Sequence, residues 1–409
     1  MTRWLVLAAL VLQAPPLAAQ SVSQRGFVEG RVYQFFQQAP NDSVLTVGDA
    51  LFREEVFFRP AEWIQFAAGL DLRANSHSQV DYEWRLDYSD RGVLRPVAAV
   101  RRLAVTLKAG TFTVDVGKQF IRWGRADVLN PTDRFAPRDY VNVIDSDFLA
   151  VSAVRPSIQL GKETLEAVWV PYLTPSRTPL VDQRWTVPPP GLEGVPIVDG
   201  GSQFPSGSQE GVRWSHAGSS AEFALAFFNG FNNLPNINAR VLAAPAAVEL
   251  TRSYPDIRTY GGDLAIPTRW LTLKSEAAYT TSPSSTSEEY VLYVVEIERQ
   301  TGEWVLDVGY AGEVLTKSGP SLQFAPDRGI ARSILARASY TVDPRRTIAI
   351  EGVVRQDGSG FYIKGEYSLA VGQHWRFTAD GVGLGGSPDD FLGQYQRNSY
   401  TSLALRYSF

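Results

Sequence analysis

Residues 302–310 read Gly-Glu-Trp-Val-Leu-Asp-Val-Gly-Tyr, and large apolar side chains occupy every second position. They run from Trp304 through Leu306 and Val308 to Tyr310. Successive side chains of a β-strand point to opposite faces, so this pattern predicts a strand with one continuously apolar face. The same alternation recurs, with charges of both signs on the second face, in three further stretches: residues 64–73, 271–279 and 375–380. The sequence therefore predicts an all-β protein.

The composition excludes several classes of protein. The chain has 409 residues, no cysteine, and 39 Lys+Arg against 43 Asp+Glu, for a net charge of -4. Without cysteine there is no disulfide scaffold, zinc ribbon, Fe–S cluster or thiol nucleophile. A slightly acidic chain has no basic field for a polyanion, so we expect no nucleic-acid partner. The 44% of apolar residues is too high for a disordered chain.

The first twenty residues have the features of a cleaved signal peptide. Met1-Thr-Arg3 is a positive start, residues 4–12 are apolar, and residues 14–20 supply small side chains for a signal peptidase. An apolar run of 9 residues is too short for a membrane-spanning helix, which needs about 20. We predict that residues 1–20 are removed and that residues 21–409 form one domain; the alternative is a buried N-terminal helix.

The spacing of the strands points to a membrane barrel. About 18 strand segments are recognisable, with 16 as the alternative count, and single-chain bacterial barrels have an even number. Every second connection is short, and most of the others are long: 37–49, 75–96, 123–147, 171–208, 230–256, 314–330 and 384–397. A soluble sandwich has no reason to sort its loops in this way. We predict a single transmembrane antiparallel up-and-down β-barrel with both termini periplasmic; a secreted all-β protein is the alternative.

The end of the chain supports the same location. Leu403, Leu405, Tyr407 and Phe409 occupy alternate positions and finish the chain on an aromatic residue. This resembles the C-terminal signal by which bacterial outer-membrane proteins reach the barrel assembly machinery; an ordinary amphipathic edge strand is the alternative. We therefore expect an integral outer-membrane protein, with lipids and that machinery as partners. Aromatic residues at strand ends suit the girdles at the membrane interfaces: Trp63, Trp270, Trp304, Trp375 and Tyr400.

A barrel of this size is too wide for its wall side chains to fill, so we expect a hydrated lumen. The alternation places charges of both signs on the inner face, which favours passage of a polar solute or ions. The wall positions predicted to face the lumen are Arg73, Arg102, Asp115, Lys274, Glu276, Glu296, Asp307, Arg337, Glu351 and Arg376.

The segment 123–147 combines paired charges with turn residues such as Asn130-Pro-Thr-Asp133. We predict that it folds into the barrel and narrows the pore; an external loop with surface salt bridges is the alternative. The candidate constriction residues are Lys118, Arg122, Arg125, Asp127, Asp133, Arg134, Arg138 and Asp139. Unbroken alternation would turn Lys118 and Arg122 towards lipid, so we also predict a β-bulge at Gly117.

This region also carries a family resemblance. Gly117-Lys-Gln, Arg122-Trp-Gly and Asn130-Pro-Thr-Asp133 resemble the alginate-export and related porin-like outer-membrane proteins, over about residues 111–147. The resemblance implies a monomeric pore-type barrel with periplasmic ends. Alginate exporters have lumens dominated by arginine, whereas the predicted lumen here is mixed in charge.

Two other long connections have distinct compositions. Residues 171–208 are rich in proline and glycine and predict a lid, a docking surface or a disordered segment. Residues 230–256 include an alanine-rich part, for which we predict a short helix around Ala243 to Leu250.

No catalytic motif emerges. The three histidines, His77, His216 and His374, fall in separate parts of the predicted barrel and form no triad by spacing. We predict no enzyme activity, no cofactor and no metal site. Three functions remain open: a porin-like channel for small polar solutes or ions, an export conduit for a secreted polymer such as a polysaccharide, and a non-conducting barrel that serves as a surface anchor or envelope-complex subunit.

Overall fold

A computed structural model describes residues 21–187, 195–243, 246–319 and 322–409, and in these residues eighteen strands form one closed sheet. The predicted signal peptide lies outside the described residues. The strands are β1 Ser21–Phe35, β2 Thr46–Ala61, β3 Ile64–Asn75, β4 Arg95–Ala109, β5 Phe112–Gln119, β6 Val151–Leu160, β7 Glu163–Val170, β8 Gln209–Ala217, β9 Glu222–Phe231, β10 Asp256–Pro267, β11 Thr272–Thr281, β12 Glu289–Thr301, β13 Trp304–Lys317, β14 Ser333–Asp343, β15 Arg346–Arg355, β16 Gly360–Val371, β17 Trp375–Gly386 and β18 Tyr400–Ser408.

Every strand pairs antiparallel with the next, and the last pairs with the first. Phe27 of β1 lies opposite Ser408 of β18, and Phe35 lies opposite Tyr400. Closure satisfies the backbone hydrogen bonds of both potential edges, as a sheet surrounded by lipid requires. The predicted count of 18 is confirmed against the alternative of 16.

The connections alternate in length as predicted. The short ones include the turns at Gly161 and Gly302, whose φ angles of +64° and +56° suit glycine. We call this side of the barrel the turn end, and the opposite side the loop end. Both chain termini of the barrel domain, Ser21 and Phe409, lie at the turn end because β1 starts there and β18 finishes there.

The loop end carries additional elements. These are a strand parallel to the start of β4 (Val80–Asp87), a two-stranded ribbon (Arg138–Asp139 with Asp147–Phe148), a four-stranded sheet (Ile197–Gln203, Ala246–Ser253, Asn236–Ala243 and Leu322–Gln323), a helical turn (Pro326–Gly329) and a 3₁₀ helix (Gly393–Asn398). The helix predicted around Ala243 to Leu250 is wrong, because Ala243 and residues 246–250 lie in two paired β-strands, the second of which also pairs with Ile197–Gln203. Among the described residues, no helix is long and apolar enough to cross a membrane.

The two faces of the wall differ in chemistry. The outer face is apolar, with exposed side chains such as Val28, Leu103, Leu225, Val308, Ile350 and Leu403. Trp63, Trp270, Trp304 and Trp375 are exposed at the turn end, as the girdle prediction requires. The girdle prediction is wrong for Tyr400. This residue begins β18 at the loop end, is buried, and packs edge-on against Tyr33 and Phe35.

The register also corrects the position of the predicted bulge. β5 pairs without a shift from Phe112 to Lys118, so the bulge expected at Gly117 is wrong. The irregularity lies in β4, where Arg102 pairs with Gly69 and Val100 with Leu70. At a β-bulge two residues of one strand lie opposite a single residue of its partner, and this changes the direction in which a side chain points. Arg101 and Arg102 are consecutive, yet the guanidinium groups of both lie over the ring of Phe120.

We predict that a charge on the outer face destabilises the barrel. Val308 is 55% exposed near the middle of β13. Val308→Arg should lower the free energy of unfolding in lipid vesicles by about 2–4 kcal/mol, the cost of an arginine at the bilayer midplane. Ser339→Arg is the control, because Ser339 faces the lumen on the neighbouring strand. Equal effects of the two substitutions would contradict the assignment of the faces.

Candidate functional site in the lumen

The main feature of the lumen is the segment between β5 and β6, residues 120–150, which we call the inner loop. It leaves the wall after Gln119 and rejoins it at Val151. Glu276 of β11, which is buried, binds it from the wall. One carboxylate oxygen accepts hydrogen bonds from the backbone N–H groups of Arg125 (2.8 Å) and Ala126 (3.2 Å), and the other accepts from the N–H and hydroxyl of Thr132 (both 2.8 Å).

A second wall glutamate binds the neighbouring part of the inner loop. Glu296 accepts hydrogen bonds from the backbone N–H groups of Asp127 (2.9 Å) and Val128 (3.3 Å). Two side-chain ion pairs reinforce this contact between the wall and the inner loop: Lys274 Nζ lies 2.6 Å from Asp127, and Arg125 donates to Asp263 at 2.7 Å. Hydrogen bonds to charged groups are stronger than neutral ones, so this contact fixes the path of the loop across the lumen.

The inner loop is also held by its own turn residues. Asp133 accepts hydrogen bonds from the backbone N–H groups of Trp123 (2.5 Å) and Gly124 (2.6 Å). A Cβ atom at Gly124 would lie 2.5 Å from the Cβ of Asn130, so only glycine fits there. The indole N–H of Trp123 donates to Glu166 of β7 at 2.5 Å. The turn chemistry predicted at 130–133 thus closes the loop onto residues 123–124.

The far end of the inner loop reaches the opposite wall. The hydroxyl of Tyr33 on β1 donates to Asp145 at 2.9 Å, and Arg31 lies 3.7 Å from the same carboxylate. Asp147 lies 2.8 Å from Arg53 on β2 and 3.4 Å from Arg101 on β4. These contacts make the loop span the lumen from β11 to β1.

Five buried charges lie at the base of the inner loop, and we call them the loop-base cluster. Asp139 accepts hydrogen bonds from Arg95 of β4 (2.9 Å) and Arg177 (3.3 Å). Asp90 accepts hydrogen bonds from Arg177 (2.7 Å) and Lys118 (2.6 Å). Burial alone would raise the pKa of Asp139, but the guanidinium groups of Arg95 and Arg177 outweigh it and hold that pKa well below its ordinary value.

The part of the proline-rich connection that follows β7, residues 171–187, runs across the loop end of the barrel. We call it the crossing segment. It pairs with the inner loop where Arg177 donates its N–H to the carbonyl of Arg138, at 2.9 Å. Farther along, Trp185 is buried against Tyr395, and Asn41 donates to the carbonyl of Gln183 at 2.8 Å.

The crossing segment is therefore fastened at both ends. It joins the inner loop to the connections that follow β1 and β17. There the guanidinium of Arg184 lies over the ring of Phe35, and the carbonyl of Arg184 accepts a hydrogen bond from the side-chain amide of Asn398. Of the prolines in the predicted lid, Pro188, Pro189 and Pro190 lie outside the described residues.

The structure places the predicted constriction residues in four environments, and Arg138 belongs to two of them. Lys118 and Asp139 are buried in the loop-base cluster, and Arg125 is paired with the wall. Arg122 and Arg138 place their guanidinium groups 4.2 and 4.0 Å from the ring centre of Phe148. The members that border open space beside the loop are Asp127, Asp133, Arg134 and Arg138.

The predicted wall residues lie on the inner face. Glu276, Glu296 and Lys274 contact the inner loop, as described above. Four other predicted wall residues each lie beside one neighbour: Arg73 near Asp147, Arg102 over the ring of Phe120, Asp115 beside Thr106, and Arg376 near Ser368. The last three line one cavity in the lumen: Asp307, Arg337 and Glu351.

Several important residues are absent from the sequence-based prediction. Asp90 and Arg95 form part of the loop-base cluster, and Arg53 and Arg101 bind the inner loop from the wall. Asp90 lies in a long connection and Arg95 directly follows it, and the sequence around them has no pattern that indicates a buried ion pair. The pair Arg101-Arg102 does carry one, because two adjacent arginines in a membrane strand cannot both face the lumen without a bulge.

Two cavities flank the inner loop. The first, of about 300 Å³, lies along β1–β3 and we call it the β1 cavity; the second, of about 330 Å³, lies along β13–β16 and we call it the β14 cavity. Charged side chains and aromatic rings line both, and Asp145 and Ser146 border both. Such spaces can hold hydrated ions or small polar molecules.

Comparison with known proteins identifies similar folds. The sequence matches no protein-family model and no curated protein. Solved structures do match: OpdQ of Pseudomonas aeruginosa (TM-score 0.57, 10% identity, 96% of this chain and 99% of that chain) and OccAB4 of Acinetobacter baumannii (TM-score 0.57, 11% identity, 96% and 99%). A BenF-like porin from Pseudomonas fluorescens matches with TM-score 0.54, 10% identity, and coverage of 96% and 98%. At these identities the likeness establishes the fold, an 18-stranded barrel similar to these proteins.

Proposed function

We propose that this protein is an outer-membrane channel for passive or substrate-selective passage of small polar solutes or ions, narrowed by the inner loop. One observation carries the proposal: a closed wall, apolar outside and charged inside, has a loop bound across its lumen by the wall carboxylates Glu276 and Glu296. Irregular backbone inside such a barrel is tolerated where it lines a water-filled space. The porin described among the similar folds supports the same function.

The proposal includes the location and orientation of the barrel. Short turns at one end and long loops at the other are typical of bacterial outer-membrane barrels, whose turns are periplasmic. Both chain ends of the barrel domain would then be periplasmic. Leu403 and Leu405 are exposed on the outer face of β18, and Phe409, which follows the strand, is exposed as well; this suits recognition by the barrel assembly machinery. A signal peptide at residues 1–20 would supply export to the periplasm.

Within the channel, the inner loop would act through charged groups that border open space. Arg138 and Arg134 lie on one side of the β14 cavity, and Asp307 and Glu351 of the wall line the same cavity. A permeating solute would exchange part of its hydration for these side chains. Lys118 and Asp139 would serve instead to hold the loop, because they are buried in ion pairs.

Recording from purified protein in a planar bilayer tests the channel function directly. We expect discrete, steady conductance steps in simple salt solutions, without added partners. A barrel that is folded, as judged by its heat-modifiable electrophoretic mobility, but electrically silent would refute the proposal. Such a result, together with co-purifying envelope proteins, would instead favour the anchor or envelope-complex function.

We predict that the inner-loop arginines set ion selectivity. Replacing Arg122, Arg125, Arg134 and Arg138 together by alanine removes four positive charges and should shift the reversal potential in a salt gradient towards cation selectivity. Arg346→Ala is the control, since Arg346 lies in an exposed turn and pairs with Asp343. An unchanged reversal potential in the fourfold variant would exclude a role of the loop in the narrowest part of the pore.

A further inference from the structure

The end of the inner loop forms a partition inside the lumen. Of all the residues that line the β1 cavity and the β14 cavity, Asp145 and Ser146 are shared. Asp145 meets the wall at Tyr33, 2.9 Å away, and at Arg31, which itself lies 3.1 Å from Asp380 of β17. The loop thus contacts the wall between the two cavities and separates them.

Each cavity follows the wall over much of its height. The β1 cavity is lined by Phe27, which lies opposite Ser408 where β18 finishes, and by Phe35 at the loop end of β1. At about 3.3 Å per residue these positions are roughly 26 Å apart along the strand. The β14 cavity runs from Asp307 on the wall to Phe391 in the connection that follows β17. Both are therefore elongated along the direction of transport.

The two cavities differ in charge. Six arginines and four carboxylates line the β1 cavity, a surplus of two positive charges. Three arginines and six carboxylates line the β14 cavity, a surplus of three negative charges. Buried Asp71 pairs with Arg53 behind the lining of the β1 cavity, and Asp139 with Arg95, so its field is weaker than the surplus suggests. Lys274 pairs in the same way with Asp127 of the β14 cavity, so the field of that cavity is also weaker than its surplus suggests. At the lining itself the contrast is direct: arginines outnumber carboxylates in the β1 cavity, and carboxylates outnumber arginines in the β14 cavity.

We propose that the inner loop divides the pore into two parallel lanes: the β14 cavity is the lane that cations prefer, and the β1 cavity is the lane that anions prefer. The inference deepens the proposed function and rests on it. Side chains in a narrow, partly dehydrated passage act on ions more strongly than they do in bulk water. Two lanes of different charge would let one barrel pass solutes of both signs without either crossing a field of its own sign.

Selective obstruction of each lane tests the proposal. The chain has no cysteine, so an introduced thiol is the sole target of a thiol reagent. Leu51→Cys places a thiol in the β1 cavity, and Val128→Cys places one in the β14 cavity. Both replaced residues are uncharged, so each variant is the matched control of the other. A bulky, neutral methanethiosulfonate reagent is added, and its attachment is verified by the mass of the intact protein.

We expect each label to remove part of the conductance and to shift the reversal potential in a KCl gradient in opposite directions. Obstruction at position 51 should make the channel more cation-selective, and obstruction at position 128 should make it more anion-selective. Complete block by either label, shifts of the same sign, or no shift at all would overturn the two-lane arrangement while leaving the channel itself intact. Absence of conductance before labelling would instead overturn the proposed function.

Discussion

Replacing Glu276 by alanine is expected to widen the pore. Glu276 accepts hydrogen bonds from the backbone of Arg125, Ala126 and Thr132 and from the Thr132 hydroxyl. Hydrogen bonds to a charged group contribute about 1.5–3 kcal/mol each. Without the carboxylate, three loop N–H groups lose their partner in the lumen and can bind water only if the loop moves. The single-channel conductance should therefore rise, by roughly twofold or more if the loop withdraws from the narrowest part.

The control for this substitution is another lumen glutamate that does not touch the inner loop. Glu366 of β16 pairs with Lys364 on its own strand at 3.3 Å. Glu366→Ala removes the same charge from the lumen, so it should shift ion selectivity without a comparable gain in conductance. Glu276→Gln keeps one oxygen acceptor and should give an intermediate conductance. If Glu276→Ala conducted like the wild-type protein, the loop would be held by other contacts, and Glu276 would not be its main support.

The barrel itself was predictable because its signal is local. Alternation of apolar and polar side chains needs no knowledge of distant residues. The stretches 64–73 and 375–380, recognised from it, lie within β3 (Ile64–Asn75) and β17 (Trp375–Gly386). The regular alternation of short and long connections then distinguished a barrel from a sandwich. β5 is the exception: the pattern continued to Arg122, but the strand ends at Gln119, because the inner loop turns into the lumen there.

The candidate site was predictable only in part, because its contacts join residues far apart in sequence. The turn at 130–133 is local and was recognised. By contrast, Asp139 is bound by Arg95 and Arg177, respectively 44 and 38 residues away. Glu276 was recognised as a lumen residue from its strand position, but its loop partners are about 150 residues away. Periodicity gives the face on which a side chain lies and does not give the loop that reaches it.

The errors have the same origin. Tyr400 was assigned to the interfacial girdle because it is aromatic and lies at a strand end, yet it begins β18 at the loop end and joins the cluster of Phe35 and Trp185. The helix predicted near Ala243 to Leu250 failed because pairing with Ile197–Gln203 outweighs the helix propensity of alanine. In both cases a tertiary contact decided between conformations that the local sequence allows.

Replacing Asp139 by alanine is expected to detach the crossing segment from the inner loop. The substitution leaves Arg95 and Arg177 buried without their shared carboxylate, and removal of one partner of a buried ion pair costs about 3–5 kcal/mol. The arginines can regain hydration only if residues 171–187 lift away. Trypsin should therefore cut the variant after Arg177, which is 5% exposed in the intact protein. The cut should appear within minutes in detergent micelles, while the wild-type chain stays protected there.

The acid response of the wild-type protein is a second measurement of the contact between Asp139 and its two arginines. Glu55→Ala is the control for the trypsin digestion. Because the folded pKa of Asp139 is depressed, its stabilisation is complete above the pKa of an unfolded aspartate, about 3.9, and is lost only as the pH falls through the lower folded value. The segment should thus remain protected from pepsin at about pH 4 and become sensitive only in stronger acid. Glu55 is also buried and paired with an arginine, Arg25, but lies away from the crossing segment, so its removal should expose no cut at Arg177. Protection in Asp139→Ala would mean that the crossing segment is held by Trp185 and Asn41 rather than by the loop-base cluster. Cleavage at Arg177 in Glu55→Ala would mean that loss of any buried ion pair exposes the site, and would contradict a specific role of Asp139.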